Sequence, residues 1–362
     1  MEQKGRESSL MLLTQHRNLL MGVAALWILV FHEWQMVTAE GSAVYQAEYF
    51  IKRIGFCGVD IFFLLSGLGM VYALEKNSLP GFYFNRLKRI VIPFLTMAIV
   101  MALVDHWTMS HFFRCISGVA FYTESIYSIL WFVPAVITLY LLVPLYFAIF
   151  RRSKNKAFFT IGAISVWLLI SMLLRDTMRE DLYGFTNRIP IFLVGILFGW
   201  WCKHTGAILG KRAWIGFTCI LVLGIYLAWQ TNINYMEILV PISNCCIPNF
   251  LIAISLSYLL AKGFDLLSKC RGTRWLSIGI NGIFGFYGMI SLEFYCVQEW
   301  IAGKILGDLV EKWGALCANG ILLLIVTACG FLLWMFNKGV VWCINRIVQA
   351  VSGKKNEVEG KI

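Results

Sequence analysis

Ten apolar stretches recur along this chain of 362 residues, and each has about the length of a helix that crosses a bilayer. Such a helix needs about 20 residues to cross a hydrocarbon core of about 30 Å. Backbone facing lipid must satisfy its own hydrogen bonds, and the alternation typical of barrel strands is missing. The pattern therefore predicts an all-α polytopic membrane protein, a bundle of about ten transmembrane helices. The stretches are residues 19–38, 55–74, 90–106, 129–150, 157–174, 187–202, 214–230, 241–261, 283–301 and 315–337.

The composition agrees with a lipid environment. Hydrophobic residues make up 59% of the chain and charged residues 14%, and the mean hydropathy is +0.73. Soluble domains contain roughly 45–50% apolar and about 25% charged residues. These values exclude a soluble enzyme, a disordered protein and a disulfide scaffold.

Basic residues outnumber acidic ones, with 31 Lys and Arg against 20 Asp and Glu and a net charge of +11. In a soluble protein this excess would indicate nucleic-acid binding, but beside transmembrane helices it indicates cytoplasmic loops. With both termini in the cytoplasm, about 23 Lys and Arg residues fall inside and about 8 outside. We therefore predict no nucleic-acid partner. The predicted parts are a cytoplasmic segment over 1–18, a transmembrane domain over 19–338 and a cytoplasmic tail over 339–362.

The cysteines and loop histidines do not predict a metal site. The 11 cysteines show no CxxC pair, and the adjacent Cys245 and Cys246 could form a disulfide only with strain, so we expect buried thiols. Asp105, His106 and His111 have a weak ligand-like spacing at the edge of a loop, where we expect solvated side chains.

Ionisable side chains inside apolar stretches are costly to bury and are candidates for function. His32 lies about six residues before the outer end of the first stretch, and Asp60 about five residues after the outer start of the second. At 1.5 Å per residue, both lie about 7–9 Å below the outer face. The segment 293–299, which begins with Glu293, climbs to the same layer, and Trp131 lies near it. This layer suits a histidine base supported by a carboxylate, but it also suits a structural hydrogen bond between helices or a proton relay.

Two further patterns concern the cytoplasmic side and helix packing. Residues 82–89, with the sequence FYFNRLKR, suit an interfacial helix with aromatic and basic anchors, or else a phosphate-binding patch. Taken alone, the segment favours the interfacial helix. Four glycines that we expect to permit close helix packing are Gly279, Gly282, Gly285 and Gly288.

Five of these segments, in this order, resemble the acyltransferase 3 family of integral membrane acyltransferases. They are Met21–His32, Gly58–Gly67, Phe82–Pro93, Leu130–Phe132 with Leu139–Pro144, and Ser291–Tyr295. The resemblance implies transfer of an acyl group, usually acetyl from acetyl-CoA, to a hydroxyl of a glycan, lipid or small molecule. It implies a multi-pass protein of the plasma membrane that acts in the cell envelope and binds no tight cofactor. Its partners would be an acyl-CoA co-substrate, the acceptor and membrane lipids.

The resemblance also implies roles for single residues. His32 corresponds to the family's essential histidine and would act as general base, and Asp60 would orient or support it. The phosphates of CoA would bind Arg86, Lys88 and Arg89, which reverses the preference for an interfacial helix. The residues expected to support the site or face the acceptor are Trp131, Glu293, Tyr295 and Gln298.

The chain departs from the family pattern at two positions. Met21 stands where the family carries an arginine eleven residues before the histidine, and Gln298 stands where many members have histidine. Arg17 lies one turn before Met21, and we expect its long side chain to reach the unfilled position. The alternatives to an acetyltransferase are a non-catalytic member that senses, scaffolds or exports glycans, and a proton-coupled transporter using His32 and Asp60.

Overall fold

The computed structural model describes residues 9–124, 130–174, 182–234 and 246–359, with side chains up to residue 350. Within these ranges the regular structure is helical, apart from an isolated bridge between Ser9 and Ile208. The helices are α1 (Met11–Gln15), α2 (Arg17–Glu33), α3 (Ala43–Arg53), α4 (Cys57–Lys76), α5 (Leu79–Val104), α6 (Met109–Ile116), α7 (Val119–Thr123), α8 (Phe132–Arg152), α9 (Lys156–Leu173), α10 (Tyr183–Thr186), α11 (Ile189–His204), α12 (Ala213–Asn232), α13 (Cys246–Lys269), α14 (Arg274–Met289) and α15 (Ser291–Glu359).

Eight helical segments of the described chain are long and apolar enough to cross a membrane. α2 and α14, with 17 and 16 residues, are shorter. The predicted all-α polytopic fold is confirmed. Of the predicted stretches, residues 129 and 241–245 lie outside the described residues, as does Cys245 of the adjacent cysteine pair.

α15 reverses direction at Gly314, whose φ of 74° and ψ of 167° are not helical. Glycine tolerates a positive φ because it has no Cβ. The two arms, residues 291–313 and 315–359, pack against each other: Asn337 Nδ2 lies 3.4 Å from Glu293 Oε1, and Gly330 packs on Phe294. The second arm therefore supports the polar residues carried by the first.

The first predicted stretch is too long. α2 ends at Glu33 rather than at residue 38, and the next residue, Trp34, is extended. The carboxylate of Glu48 on α3 accepts the backbone N–H groups of Val37 and Thr38, which replaces the bonds that a longer helix would make. The predicted stretch is therefore a helix followed by a non-helical segment that Glu48 holds in place.

The predicted stretch 283–301 is not one helix. α14 ends at Met289, Ile290 caps it, and α15 begins at Ser291. A crossing with α2 lies just before the break, because a Cβ at Gly288 would lie 1.9 Å from the backbone oxygen of Asn18. The packing expectation is therefore correct for Gly288.

The other three glycines of this pattern are packed less closely than Gly288. Gly285 is in ordinary contact with Asn18, 3.8 Å from a built Cβ, and a Cβ at Gly279 or Gly282 would meet nothing within 4 Å. The packing expectation is wrong for Gly279 and Gly282, because no other described segment comes within contact distance of α14 at these two positions.

We expect Gly288→Ala to lower the stability of the protein by about 1–3 kcal/mol, the usual cost of overpacking, because the new Cβ would push α14 away from α2. Gly282→Ala is the matched control and should cause no loss, since its Cβ meets open space and alanine favours helix. Thermal unfolding of both variants in detergent measures the difference. Equal midpoints for the two variants would contradict the close crossing.

α4 and α11 run parallel and meet along a line of glycines that the sequence analysis missed. A Cβ would lie 2.1 Å from the Phe192 oxygen at Gly67, and 2.3 Å from the Leu64 oxygen at Gly195. Gly199 continues this contact one turn later, so α11 carries a Gly-x-x-x-Gly pair of the kind that packs membrane helices closely. This register brings the residue before α11, Arg188, to the first turn of α4.

Candidate active site

A cavity of about 500 Å³ lies between α2, α4, α5, α8, the end of α14 and the two arms of α15. One end, here called the basic end, is lined by Arg17, Arg86, Lys88, Arg89 and Lys338. The opposite end, here called the apolar end, is lined by Ile28, Val59, Phe62, Phe132, Val136 and Tyr295. Residues that lie far apart in the sequence therefore share one continuous space.

The basic end brings together the four cationic residues that the sequence predicted for donor binding. Arg86 donates to the Gly69 oxygen at 3.1 Å, and the Lys88 ammonium donates to the Asn345 side-chain oxygen at 2.7 Å. In the described part of the chain, no carboxylate lies within ion-pair distance of Arg17, Arg86, Lys88 or Arg89. Such a cluster of like charges favours binding of an anion.

The segment that contains Arg86 is not a separate interfacial helix. It forms the first turns of α5, which begins after the side-chain oxygen of Ser78 accepts the Gly81 N–H. Phe82 is fully buried in the bundle. The aromatic residue therefore anchors the helix in the core, and the basic residues that follow line the cavity.

Met21 and Arg17 both line the cavity, on successive turns of α2. The two side chains therefore share one helix face, as their spacing indicated. The thioether of Met21 contributes apolar surface to the wall, and the guanidinium of Arg17 joins the cationic cluster.

The middle of the cavity is polar. The Ser66 and Tyr140 hydroxyls lie 2.8 Å apart, and the amide of Asn337 lies 3.4 Å from Glu293. The segment 293–299 was expected to rise toward the layer of His32. Glu293, at its start, lines the cavity that also contains the basic end, and Glu299, at its end, lies beside His32.

His32 Nε2 lies 3.1 Å from Glu299 Oε1, and the two side chains are 28% and 21% exposed. Each residue follows a residue of the apolar end by four positions on its helix, Ile28 on α2 and Tyr295 on α15. The pair therefore lies about one turn, or 6 Å, beyond that end. The layer that the sequence predicted does bring a histidine and a carboxylate together, but that carboxylate is not Asp60.

Asp60 pairs instead with Arg188, which the sequence analysis missed. Asp60 Oδ2 and an Arg188 guanidinium nitrogen are 3.5 Å apart, with side-chain exposures of 4% and 2%. This distance is too long for a strong direct hydrogen bond. The guanidinium also lies over the rings of Phe56 and Trp131, at 5.1 and 5.5 Å from their centroids. The sequence did contain a sign of this role, because Arg188 is an ionisable residue inside the predicted transmembrane stretch 187–202.

Three more predicted residues lie at this end of the bundle. The Tyr295 hydroxyl accepts the backbone N–H of Phe132 at 3.3 Å. Gln298 is completely buried, and neither atom of its amide meets a hydrogen-bond partner among the described residues. Trp131 immediately precedes α8 and contacts the Arg188 guanidinium.

The loop carboxylate Asp105 forms specific contacts rather than remaining solvated. It accepts hydrogen bonds from the Lys304 ammonium at 2.6 Å and from the Trp300 indole at 2.7 Å. These two donors hold the pKa of Asp105, which follows the end of α5, below its usual range. His111 contacts Cys115 and Trp107 instead, and the described residues contain no cluster of three or more side chains suited to a metal ion.

Comparison with known proteins adds one match. A family model described as an acyltransferase domain, that of the acyltransferase 3 family, matches residues 18–336. No curated protein and no solved structure matches the chain. The matched region runs from the start of α2 to the second arm of α15 and contains the whole wall of the cavity except Arg17, Asn337, Lys338 and Val341.

Proposed function

The chain belongs to the acyltransferase 3 family and is a membrane acyltransferase, and we propose that it is an O-acetyltransferase using acetyl-CoA. The acceptor is a hydroxyl of a cell-surface glycan, a lipid-linked sugar or a related molecule. The protein works in the plasma membrane, with the donor entering from the cytoplasm. One observation carries the proposal: a single cavity extends from the cationic cluster to an apolar end, and His32 lies about one helical turn beyond that end.

The basic end suits the phosphates of CoA. Arginine binds phosphate through two parallel charge-assisted hydrogen bonds, and Arg17, Arg86 and Arg89 line this end together. Bound phosphates would relieve the repulsion among the cations. The nucleotide would remain at the basic end, since the cavity of about 500 Å³ suits the slender arm of the donor better than the whole molecule.

The rest of the cavity suits the arm and the acyl group. The pantetheine arm contains two amides and a hydroxyl, and the middle of the cavity offers the Ser66–Tyr140 and Glu293–Asn337 pairs as partners. The apolar end then receives the acetyl thioester. The order of cationic, polar and apolar walls follows the order of groups along acetyl-CoA.

His32 acts as general base just beyond the apolar end. Its imidazole removes the proton of the acceptor hydroxyl while the hydroxyl oxygen attacks the thioester carbonyl carbon. The Glu299 carboxylate, 3.1 Å away, orients the ring and stabilises the imidazolium that forms. The carbon–sulfur bond then breaks, the thiolate of CoA takes the proton from His32, and the acetyl ester of the acceptor leaves.

The test offers two donors to the purified protein in lipid nanodiscs, with envelope membranes from cells lacking the gene as acceptor. Radiolabelled acetyl-CoA should label the acceptor and release free thiol, and S-acetylpantetheine, which lacks the nucleotide phosphates, should show a higher KM. Arg89→Ala should raise the KM for acetyl-CoA by about 10–100-fold, the value of a hydrogen bond to a charged group, and leave the KM for S-acetylpantetheine unchanged.

Arg152→Ala is the matched control. Arg152 is exposed at the end of α8 and does not line the cavity, so its loss should leave both KM values as they are. Wild-type protein that releases no CoA above an empty nanodisc would overturn the proposed function and favour a non-catalytic or transport role.

A further inference from the structure

The buried amide of Gln298 has no hydrogen-bond partner in the described part of the chain. Its side chain is 0% exposed, and both its amide nitrogen and its amide oxygen lack a hydrogen-bond partner among the described residues. Leaving a buried polar group unpaired costs about 1–3 kcal/mol. Three other buried amides of the bundle make a side-chain hydrogen bond: Asn249, Asn319 and Asn337. At Asn187 the buried side-chain oxygen also lacks a partner among the described residues, whereas at Gln298 both polar atoms do.

The position of Gln298 relates it to the cavity. Ser291, Tyr295 and Gln298 are spaced by four and three residues, which places them on one face of the first arm of α15. Ser291 and Tyr295 both line the cavity. Gln298 continues this face just beyond the apolar end, and the next residue, Glu299, contacts His32.

We propose that the side-chain NH₂ group of Gln298 donates a hydrogen bond to the carbonyl oxygen of the acyl group. This inference rests on the proposed function, because it assigns a donor to the same reaction. When the acceptor oxygen bonds to the carbonyl carbon, the carbon–oxygen double bond becomes a single bond and its electron pair moves to this oxygen. The negative oxygen is stabilised by Gln298, and the double bond forms again as the thiolate of CoA departs.

Two other polar groups near this end have partners of their own. The Tyr295 hydroxyl accepts the Phe132 N–H. The Arg188 guanidinium faces the Asp60 carboxylate at 3.5 Å and donates to the backbone oxygen of Gly184, although its Nε has no hydrogen-bond partner among the described residues. A fixed amide that is desolvated before the reaction stabilises the developing charge without reorganisation, which is the property required of an oxyanion donor. The unpaired amide therefore costs stability in the resting protein and lowers the barrier to transfer.

Gln298→Met tests this role, since methionine has a similar length and no hydrogen-bonding amide. We expect kcat for acetyl transfer to fall by about 10²–10³-fold, the loss seen when one oxyanion donor is removed. The KM for acetyl-CoA should stay unchanged, because the lost bond strengthens only in the transition state. The thermal midpoint of the variant should equal or exceed that of the wild type, because the unpaired amide is gone.

Asn319→Leu is the matched control for the effect on stability. The amide of Asn319 binds both the N–H and the oxygen of Gln35, so its removal should lower the thermal midpoint. A Gln298→Met protein that keeps wild-type kcat would overturn the inference while leaving the proposed function standing. A Gln298→Met protein in which kcat and the thermal midpoint both fall would also overturn the inference, because that result indicates that the amide stabilises the fold. If the wild-type protein transfers no acetyl group, both the proposed function and the role of Gln298 are overturned.

Discussion

Replacing His32 by alanine should lower the rate of acetyl transfer by about 10²–10⁴-fold, the usual contribution of a general base. The physical reason is that the acceptor hydroxyl then has no group to take its proton near the apolar end of the cavity. The substitution removes a side chain that is 28% exposed, and its partner Glu299 is itself 21% exposed, so the protein should still insert and unfold at nearly the same temperature. Label transfer from acetyl-CoA and a thermal unfolding scan measure the two effects.

Two further variants sharpen this prediction. Glu299→Gln keeps the size of the side chain but removes its charge, and we expect a smaller loss of kcat than for His32→Ala because the base remains. His111→Ala is the matched histidine control, since His111 is exposed on α6 and lies outside the cavity. Wild-type acetylation by a correctly inserted His32→Ala protein would refute His32 as the base.

Breaking the Asp60–Arg188 pair should produce the largest loss of stability in the protein. Asp60→Asn leaves the Arg188 guanidinium buried without a carboxylate, and removal of one partner of a buried ion pair costs roughly 3–5 kcal/mol. Arg188→Leu leaves Asp60 unpaired in the same way. The double variant should regain most of the loss, because neither charge then remains in the core. Unfolding in detergent, followed across the four proteins, gives the coupling energy.

An exposed ion pair provides the matched control. The Arg114 and Glu124 side chains are 2.6 Å apart and 49% and 34% exposed, so Glu124→Gln should cost at most about 1 kcal/mol. A loss of similar size in Asp60→Asn, or a double variant as unstable as the two single losses combined, would show that the buried pair does not act as a unit.

The cationic cluster was predictable because its members lie close together in the sequence or on one helix face. Arg86, Lys88 and Arg89 fall within one helical turn, and Arg17 shares a face with Met21. Helical spacing is a local property, so it can be counted from residue numbers alone. The structure adds that α2 and α5 turn these faces toward the same cavity.

The partner of His32 could not be predicted in the same way. Depth counting identified both Asp60 and the end of the segment 293–299 as neighbours in one layer, but it does not measure the rotation of a helix about its axis. Close packing of α4 against α11 at Gly67 and Gly195 directs Asp60 toward Arg188. Glu299 thereby becomes the carboxylate that faces the histidine.

The sequence by itself determined that this protein lies in a bilayer, that it is helical and that it belongs to its family. These conclusions depend on hydropathy and on short motifs, which act within single helices. Only the tertiary structure decided which charges neutralise each other and which cations line the cavity. It alone showed that the Gln298 amide is buried with no partner among the described residues. The physical reason is that helix rotation and register are set by contacts between segments far apart in the chain, such as α2 with α15, and a local pattern does not specify them.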